Sequence, residues 1–324
     1  GRGARDGRRG RGRGGAGVTL DGLNLVAVLA ALIVAATPLV FAAVGELVAE
    51  KSGVLNLGVE GMMVTGAVAG FAAAHETGSW WAGVLAAPVA GAALAALFAA
   101  LTQGLMSNQV ATGLALTLFG LGLAALAGQG YAGTPAPAAP RLAIPGLSDL
   151  PVAGRLLFAH DPLVYLGLAL TGAAAWGLAR TRAGLVLRAI GENHDAAHAI
   201  GHPVVRARVA AILFGGAMAG LGGAYLSLVA APFWVEGMTA GRGWIALAIV
   251  VFAGWRPWRA FLGACLFGGV TIAQLNAQAL GVAIQSQWLS MTPYLATVLV
   301  LVAISRRGRR GAPGCLGRPF FAAG

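Results

Sequence analysis

The sequence predicts an all-α, polytopic integral membrane protein with about eight or nine transmembrane helices, some of them broken or re-entrant. Three observations carry that expectation. The 324 residues are 58% hydrophobic and only 10% charged, where a soluble domain carries roughly 25% charged residues. Mean hydropathy is +0.78. The net charge of +11 is uneven and concentrates in the first residues, in the loop 180–208 and in Arg306, Arg307, Arg309 and Arg310. Basic clusters confined to loops fit a positive-inside membrane protein better than a nucleic-acid surface, so no nucleic-acid partner is expected. A multi-pass protein of the plasma membrane, in contact with membrane lipid, follows.

Taken in order, residues 1–22 form an arginine- and glycine-rich tail that cannot build a core and is expected to be disordered. It reads as a solvated cytoplasmic tail or an over-extended translation start rather than an RNA-binding arm. The apolar run behind it is too long for a cleaved signal peptide. Residues 23–304 form the transmembrane domain, and 305–324 a basic cytoplasmic tail. About 20 apolar residues cross a bilayer. Spans are expected over 23–44, 80–101, 110–127, 162–179, 209–231, 261–280 and 291–304. Residues 129–160, rich in proline and glycine, read as an extramembrane loop. The run 244–255 is short, about 18 Å at helical rise, which points to a tilted or broken helix. Gly66/Gly70 and Gly216/Gly220 are small-xxx-small pairs of the kind that lets helices approach closely in lipid.

Counting every apolar run as a crossing puts the arginine-rich N-terminus outside, against the positive-inside rule. The simplest repair makes residues 53–74, with Asn56, Gly58, Glu60 and Gly61 in their first half, a broken or re-entrant segment lining a protein cavity. Eight crossings with both ends inside result. The alternative is nine crossings with the N-terminus outside.

Glu60 is a carboxylate inside an apolar run, a costly placement that marks a functional candidate. The competing reading is a group hydrogen-bonded to the broken backbone near Asn56, fixing the segment's shape. Asn108, Gln109 and Thr112 open a span and can line a polar mouth. Gln274, Asn276 and Gln278 alternate within another, so helical geometry keeps them from all facing one cavity. With Asn56 and Trp244, these residues are the candidates for a translocation pathway.

The loop 180–208 has helix grammar. Asn193 is placed to cap a helix over His194–Ile200, Asp195 sits at its positive end, and Gly201 followed by Pro203 stops it. Ala196, Ala197 and Ile200 are expected on one small face, flanked by Arg180, Arg182, Arg188, Arg206 and Arg208. Docking into another protein's groove and an ordinary capped helix both fit. No catalytic set is present. The histidines at 75, 160, 194, 198 and 202 make no zinc pattern, and neither Cys265 nor Cys315 suggests a disulfide framework or metal site. Residues 45–52 nearly match a phosphate loop, but Glu50 stands where a glycine is required. No cofactor is expected on this chain; any ATP is used by a partner ATPase.

Four stretches carry a resemblance: Gly45-Glu-Leu-Val-Ala-Glu-Lys-Ser-Gly-Val-Leu-Asn-Leu-Gly-Val-Glu-Gly-Met-Met, Asn108-Gln-Val-Ala-Thr-Gly-Leu-Ala-Leu, Leu187-Arg-Ala-Ile-Gly-Glu-Asn-His-Asp-Ala-Ala-His-Ala-Ile-Gly and Gly241-Arg-Gly-Trp-Ile-Ala-Leu-Ala-Ile-Val-Val-Phe. Together they resemble the permease subunit of ABC importers of the nucleoside and simple-sugar type, in the superfamily of ribose and branched-chain amino-acid permeases. The resemblance spans about 39–321. It departs at His194, where the family usually has proline, and at Trp244, where it more often has phenylalanine or a smaller residue. It implies a second, similar permease, a cytoplasmic ABC ATPase and an extracellular solute-binding lipoprotein as partners. It also assigns Gly191, Glu192, Asn193, Ala196, Ala197, Ile200 and Gly201 to coupling with the ATPase. The substrate it implies is a nucleoside first and a simple sugar second. The rivals are an ion-coupled secondary transporter, which usually needs charges in several spans, and an intramembrane enzyme, which needs a reactive constellation that is not found.

Overall fold

A computed structural model describes residues 25–140, 142, 156, 158–279, 288, 291, 295, 299, 302 and 311–321. Ten α-helices are described: α1 (Leu25–Lys51), α2 (Val59–Thr77), α3 (Trp80–Ala99), α4 (Gln109–Gly128), α5 (Pro162–Arg180), α6 (Arg182–Glu192), α7 (His194–Ala199), α8 (Val204–Tyr225), α9 (Arg242–Phe252) and α10 (Pro257–Ala279). Single π-helical turns extend α3 through Ala100–Gly104 and α8 through Leu226–Ala230. Six of these helices, all but α2, α6, α7 and α9, are long and apolar enough to cross a membrane. No β-strand occurs among the described residues, only two isolated bridges. The expectations for residues 1–22, and most of those for the span 291–304, lie outside the described residues.

Side-chain caps set several helix starts. Asn108 accepts from the amide of Ala111 at 3.0 Å, Thr181 from Gly184 at 3.0 Å and Asn193 from Ala196 at 3.0 Å. Asp161 accepts from Leu163 and Val164, with Pro162 opening α5 behind it. Each satisfies amides that an isolated helix end leaves free.

The centre is built from α2, α3 and α8 on small residues. Gly66 of α2 lies directly on Gly220 of α8, where an added Cβ would fall 2.6 Å from the Gly220 carbonyl oxygen. Gly91 of α3 lies on Gly216 and Gly220, and Gly70 lies on Gly83 and Ala87. Both expected glycine pairs thus sit at helix crossings. There, van der Waals contact replaces the hydrophobic drive that lipid does not supply.

One expectation about broken segments is corrected, and the other is met. Residues 53–74 are not re-entrant. After a turn at 52–58 the chain forms the 19-residue α2, about 28 Å long, running beside α4 in the same direction. Gly58 lies beside Gly113 and Gly61 beside Gly120; Phe71 meets the ring of Tyr131, and Glu76 accepts the Tyr131 hydroxyl at 3.1 Å. Thirteen of its 19 residues are buried by other helices, which is why its polar residues are tolerated. The end of α1 shares one face of the protein with α6 and α7, as Gly191 packs on the Lys51 carbonyl. Helix alternation therefore puts Leu25 on the opposite face, as in the nine-crossing count rather than the eight-crossing one.

The broken segment is 231–252. Pro232 accepts from the amide of Ala136 at the outer loop. Trp234 packs among Val64, Ala67, Val68 and Phe71 of α2, and Thr239 reaches Glu60 in the first turn of α2. This irregular chain descends beside α2 for about 16 Å, judged from the helical rise between Glu60 and Phe71. Such backbone is tolerated at membrane depth only when other parts of the protein bury it. The 11-residue α9 then completes the passage.

Candidate pathway and coupling site

Glu60 is 3% exposed. One oxygen accepts from the Thr239 hydroxyl at 2.6 Å and from the Gly241 amide at 2.8 Å; the other accepts from the Gly243 amide at 2.6 Å. The carboxylate of α2 thereby caps α9 at depth, where free amides and the positive end of the helix dipole favour an anion. Gly243 permits the approach, since a Cβ there would lie 2.6 Å from the backbone of Glu60. The shape-fixing alternative for Glu60 matches this geometry, though its partners belong to 239–243 and not to Asn56. Trp244, next along α9, turns outward and is 48% exposed.

The other pathway candidates divide. Asn56 is buried. Its carbonyl oxygen accepts from the Gly58 amide, its Nδ2 donates to the Met62 sulfur, and its own amide donates to Glu46 at 3.1 Å. Gln109 is buried as well and accepts from the Leu55 amide at 2.9 Å. Thr112 exchanges a 2.8 Å hydrogen bond with Ser107. Asn56 and Gln109 shape the turn between α1 and α2, and Thr112 closes the connection into α4. Asn108 is exposed at the start of α4. Gln274 and Asn276 are half-buried on α10, which packs against α1, and the Asn276 amide donates to Ile272 of its own helix. The structure joins Asn56 and Gln109 in one cluster and puts Glu60 at the next turn.

The expected phosphate-loop near-match is the end of α1. Glu46 and Glu50 lie there fully buried; the Trp255 indole N–H donates to Glu50, and each carboxylate keeps one oxygen without a partner.

The loop 180–208 has the expected grammar. Asn193 caps α7, and Gly201 adopts φ +89° behind it. The expected docking face is corrected. His194 and Ala197 turn inward, and Ala197 packs at 3% exposure with Ile190, Val204 and Phe320. Ala196 and Ile200 turn outward, and Ile200 is 73% exposed. Ala196 and Ile200, four apart, share the outer side, while packing with Phe320 holds Ala197 inward.

The C-terminal strap 311–321 was not legible as structure. Its amides at Cys315 and Gly317 donate to the carbonyls of Gly191 and Gly53, and the Gly314 amide donates to the Glu192 carboxylate at 2.8 Å. The Phe320 ring packs edge-on against His194 and His198. Arg208, expected among the flanking arginines, is instead fully buried beneath the loop. Its guanidinium donates to the carbonyls of Ser52 and Arg318, both at 3.2 Å, and to His194 Nδ1 at 2.9 Å. Burial, followed by the Arg208 charge, holds His194 below its ordinary value of 6.5. Cys315 and Phe320, apolar residues in a basic tail, were the available signal.

Residues 28–304 match the family described as the branched-chain amino acid transport system permease component. The chain is 41% identical over 295 residues to a putative glucose ABC transporter permease of Haloferax volcanii, covering 84% of this chain and 90% of that one. It is 33% identical over 302 residues to a nucleoside ABC transporter permease of Lactococcus lactis, covering 86% and 92%. It is also 33% identical over 319 residues to a guanosine ABC transporter permease of Bacillus subtilis, covering 91% and 96%. No solved structure matches the chain. The protein is a multi-pass membrane transport subunit and not an enzyme. It belongs to the permease family of ABC importers, whose members work with an ATPase and a solute-binding protein. Membership in that family displaces the ion-coupled alternative.

Proposed function

We propose that this permease forms one half of a pathway for a nucleoside or simple sugar, paired with a second permease of similar fold. The exposed side of α7 docks into the ATPase. The observation that carries the reading is the outward Ile200, an aliphatic side chain left in water at the end of a helix whose other side is locked to its own protein. A short helix fixed by Asn193, Arg208 and the C-terminal strap transmits displacement as a rigid lever. The substrate class is supported by the relatives named for glucose, nucleoside and guanosine transport, all uncharged polar solutes or their carriers. Within the pathway, Trp244 is the contact of choice, because Glu60 presents α9 and leaves the Trp244 indole outward. An indole offers a flat apolar face to a base or a sugar ring.

The test is Ile200→Glu in the permease co-expressed with its second permease, ATPase and solute-binding protein. Interfaces depend on a few central residues, and a carboxylate in an apolar contact is costly. The variant is expected to insert normally, lose co-purification with the ATPase and lose uptake of labelled nucleoside and sugar. A fully coupled Ile200→Glu transporter would overturn the docking assignment.

A further inference from the structure

A basic pocket of about 500 Å³ lies where the end of α1, the last turns of α5, α6 and the turn between α9 and α10 meet. Lys51, Arg188 and Arg256 line it, with Ala175, Leu178 and Ala179 of α5 as its apolar wall. We propose that this pocket holds the phosphate headgroup of an anionic phospholipid from the cytoplasmic leaflet. Transport by the α7 lever makes no use of these side chains, so this proposal stands apart from that one.

The three cations have capacity to spare. Among the described residues the Arg256 guanidinium makes no hydrogen bond, and Arg188 uses only its Nε, towards Gly184 at 3.4 Å. Lys51 donates to the Gly311 carbonyl at 3.1 Å, leaving two of its three protons. Both arginines are near enough to Lys51 to act on its charge. Like charges held together without an anion repel, and planar guanidinium forks match phosphate oxygens. Two carboxylates also act on Lys51. Glu50 is buried behind the wall on Trp255, and Glu192 is engaged by the Gly314 amide. Neither fills the pocket. The chain entering at Gly311 follows directly on Arg309 and Arg310.

Position favours a lipid over a soluble anion. The pocket shares its face with the loop 180–208, and its apolar wall on α5 runs from buried Leu178 to exposed Ala179. Trp176 of α5 is 65% exposed and Trp258, in the first turn of α10, is 51% exposed, with the latter lying against Gly172 of α5. Indoles collect at the headgroup level of a bilayer, and basic pockets between spans on the cytoplasmic side suit anionic headgroups. Acyl chains then follow α5 and α10 outward.

The experiment uses the purified permease–ATPase complex in mild detergent. Phosphatidylglycerol, phosphatidylcholine or inorganic phosphate is titrated, and bound lipid is read by native mass spectrometry together with the shift in melting temperature. Phosphatidylglycerol is expected to bind and stabilise, while phosphatidylcholine and inorganic phosphate at equal concentration do not. Removing one basic charge weakens headgroup binding about fivefold. Arg256→Gln, an exposed change that leaves the fold intact, should show that loss. Lys51→Gln/Arg188→Gln/Arg256→Gln together should lose about 100-fold. Arg180→Gln/Arg182→Gln, equal in charge class but outside the pocket, should bind as wild type. Equal binding of the two lipids, or unchanged phosphatidylglycerol binding by both pocket variants, overturns the proposal. So does competition by inorganic phosphate, which marks a small-anion site. Loss of the ATPase with lipid binding intact also overturns it, by marking the pocket as a protein contact.

Discussion

Glu60→Gln isolates what the charge at depth contributes. The glutamine carbonyl can keep the Thr239 hydroxyl and the Gly241 amide, the two donors on one oxygen. Its NH2 then faces the Gly243 amide, which loses its 2.6 Å partner and meets another donor. A hydrogen bond to a charged group is worth about 1.5–3 kcal/mol. Loss of the anion at the helix N-terminus adds about 0.3–1 kcal/mol. Together α9 should be held less tightly by roughly 2–4 kcal/mol. At 1.4 kcal/mol per factor of ten, that is roughly 30- to 700-fold faster opening. Hydrogen–deuterium exchange of the amides at 239–246 in the reconstituted permease reads this directly, and transport should fall with it. Exchange within threefold of wild type, with uptake unchanged, would refute the account of Glu60 as the cap of α9.

Three further outcomes follow from the same geometry. Phe320→Ala removes a ring buried against Ala197 and both histidines. It should loosen the loop 190–200 by about 3–5 kcal/mol, seen as faster exchange there with the central helices unaffected; unchanged exchange would mean the strap does not hold the loop. Gly220→Leu forces a side chain into the Ala87 backbone and the Gly91 contact. Overpacking costs about 1–3 kcal/mol or more, so thermal unfolding in detergent should begin at lower temperature, whereas Gly122→Leu, in open space, should not shift it. His194 has its folded pKa below 6.5, so its contribution is fully present above pH 6.5 and is lost as pH falls through the lowered value. Protonation removes the Nδ1 acceptor of Arg208; exchange at 190–200 should rise between pH 7 and 5 in wild type and stay flatter in His194→Gln.

The helices were legible wherever a local signal sets them. Asn193 and Gly201 act within four residues of themselves, and each was placed correctly as a cap or stop, whereas Asn108, read as part of a polar mouth, caps α4. The glycine pairs were visible too, although only the fold shows that Gly66 meets Gly220. What the sequence hid depends on distant partners. Charge bias, with Asn56, Gly58, Glu60 and Gly61 in its first half, suggested that 53–74 was the broken segment, but α2 is shielded by protein and needs no outward apolar surface. The short run at 244–255 was the better clue, because 11 helical residues fall short of a bilayer. Ala197 was misassigned for a related reason. A small residue suits a docking face and a packed one equally, and Phe320, over a hundred residues on, decides between them.

The placement of the polar groups supports the proposed docking of α7, because it ties that helix to the spans. Gly191 rests on the Lys51 carbonyl, and Arg208 grips Ser52 while bonding His194 of α7. The turn they hold is bonded onward through Leu55 to Gln109 of α4 and through Asn56 to Glu46 of α1. One turn further, Glu60 holds the start of α9. A displacement of α7 thus meets no soft joint before it reaches the turn that positions α1, α2 and α4. The irregular chain at 231–241, held to α2 at Thr239 and Gly241, is the compliant part. If the pathway opens by moving α9 and Trp244, Glu60→Gln, which loosens the start of α9, should lower uptake without releasing the ATPase. Uptake that survives that change would place the moving element elsewhere.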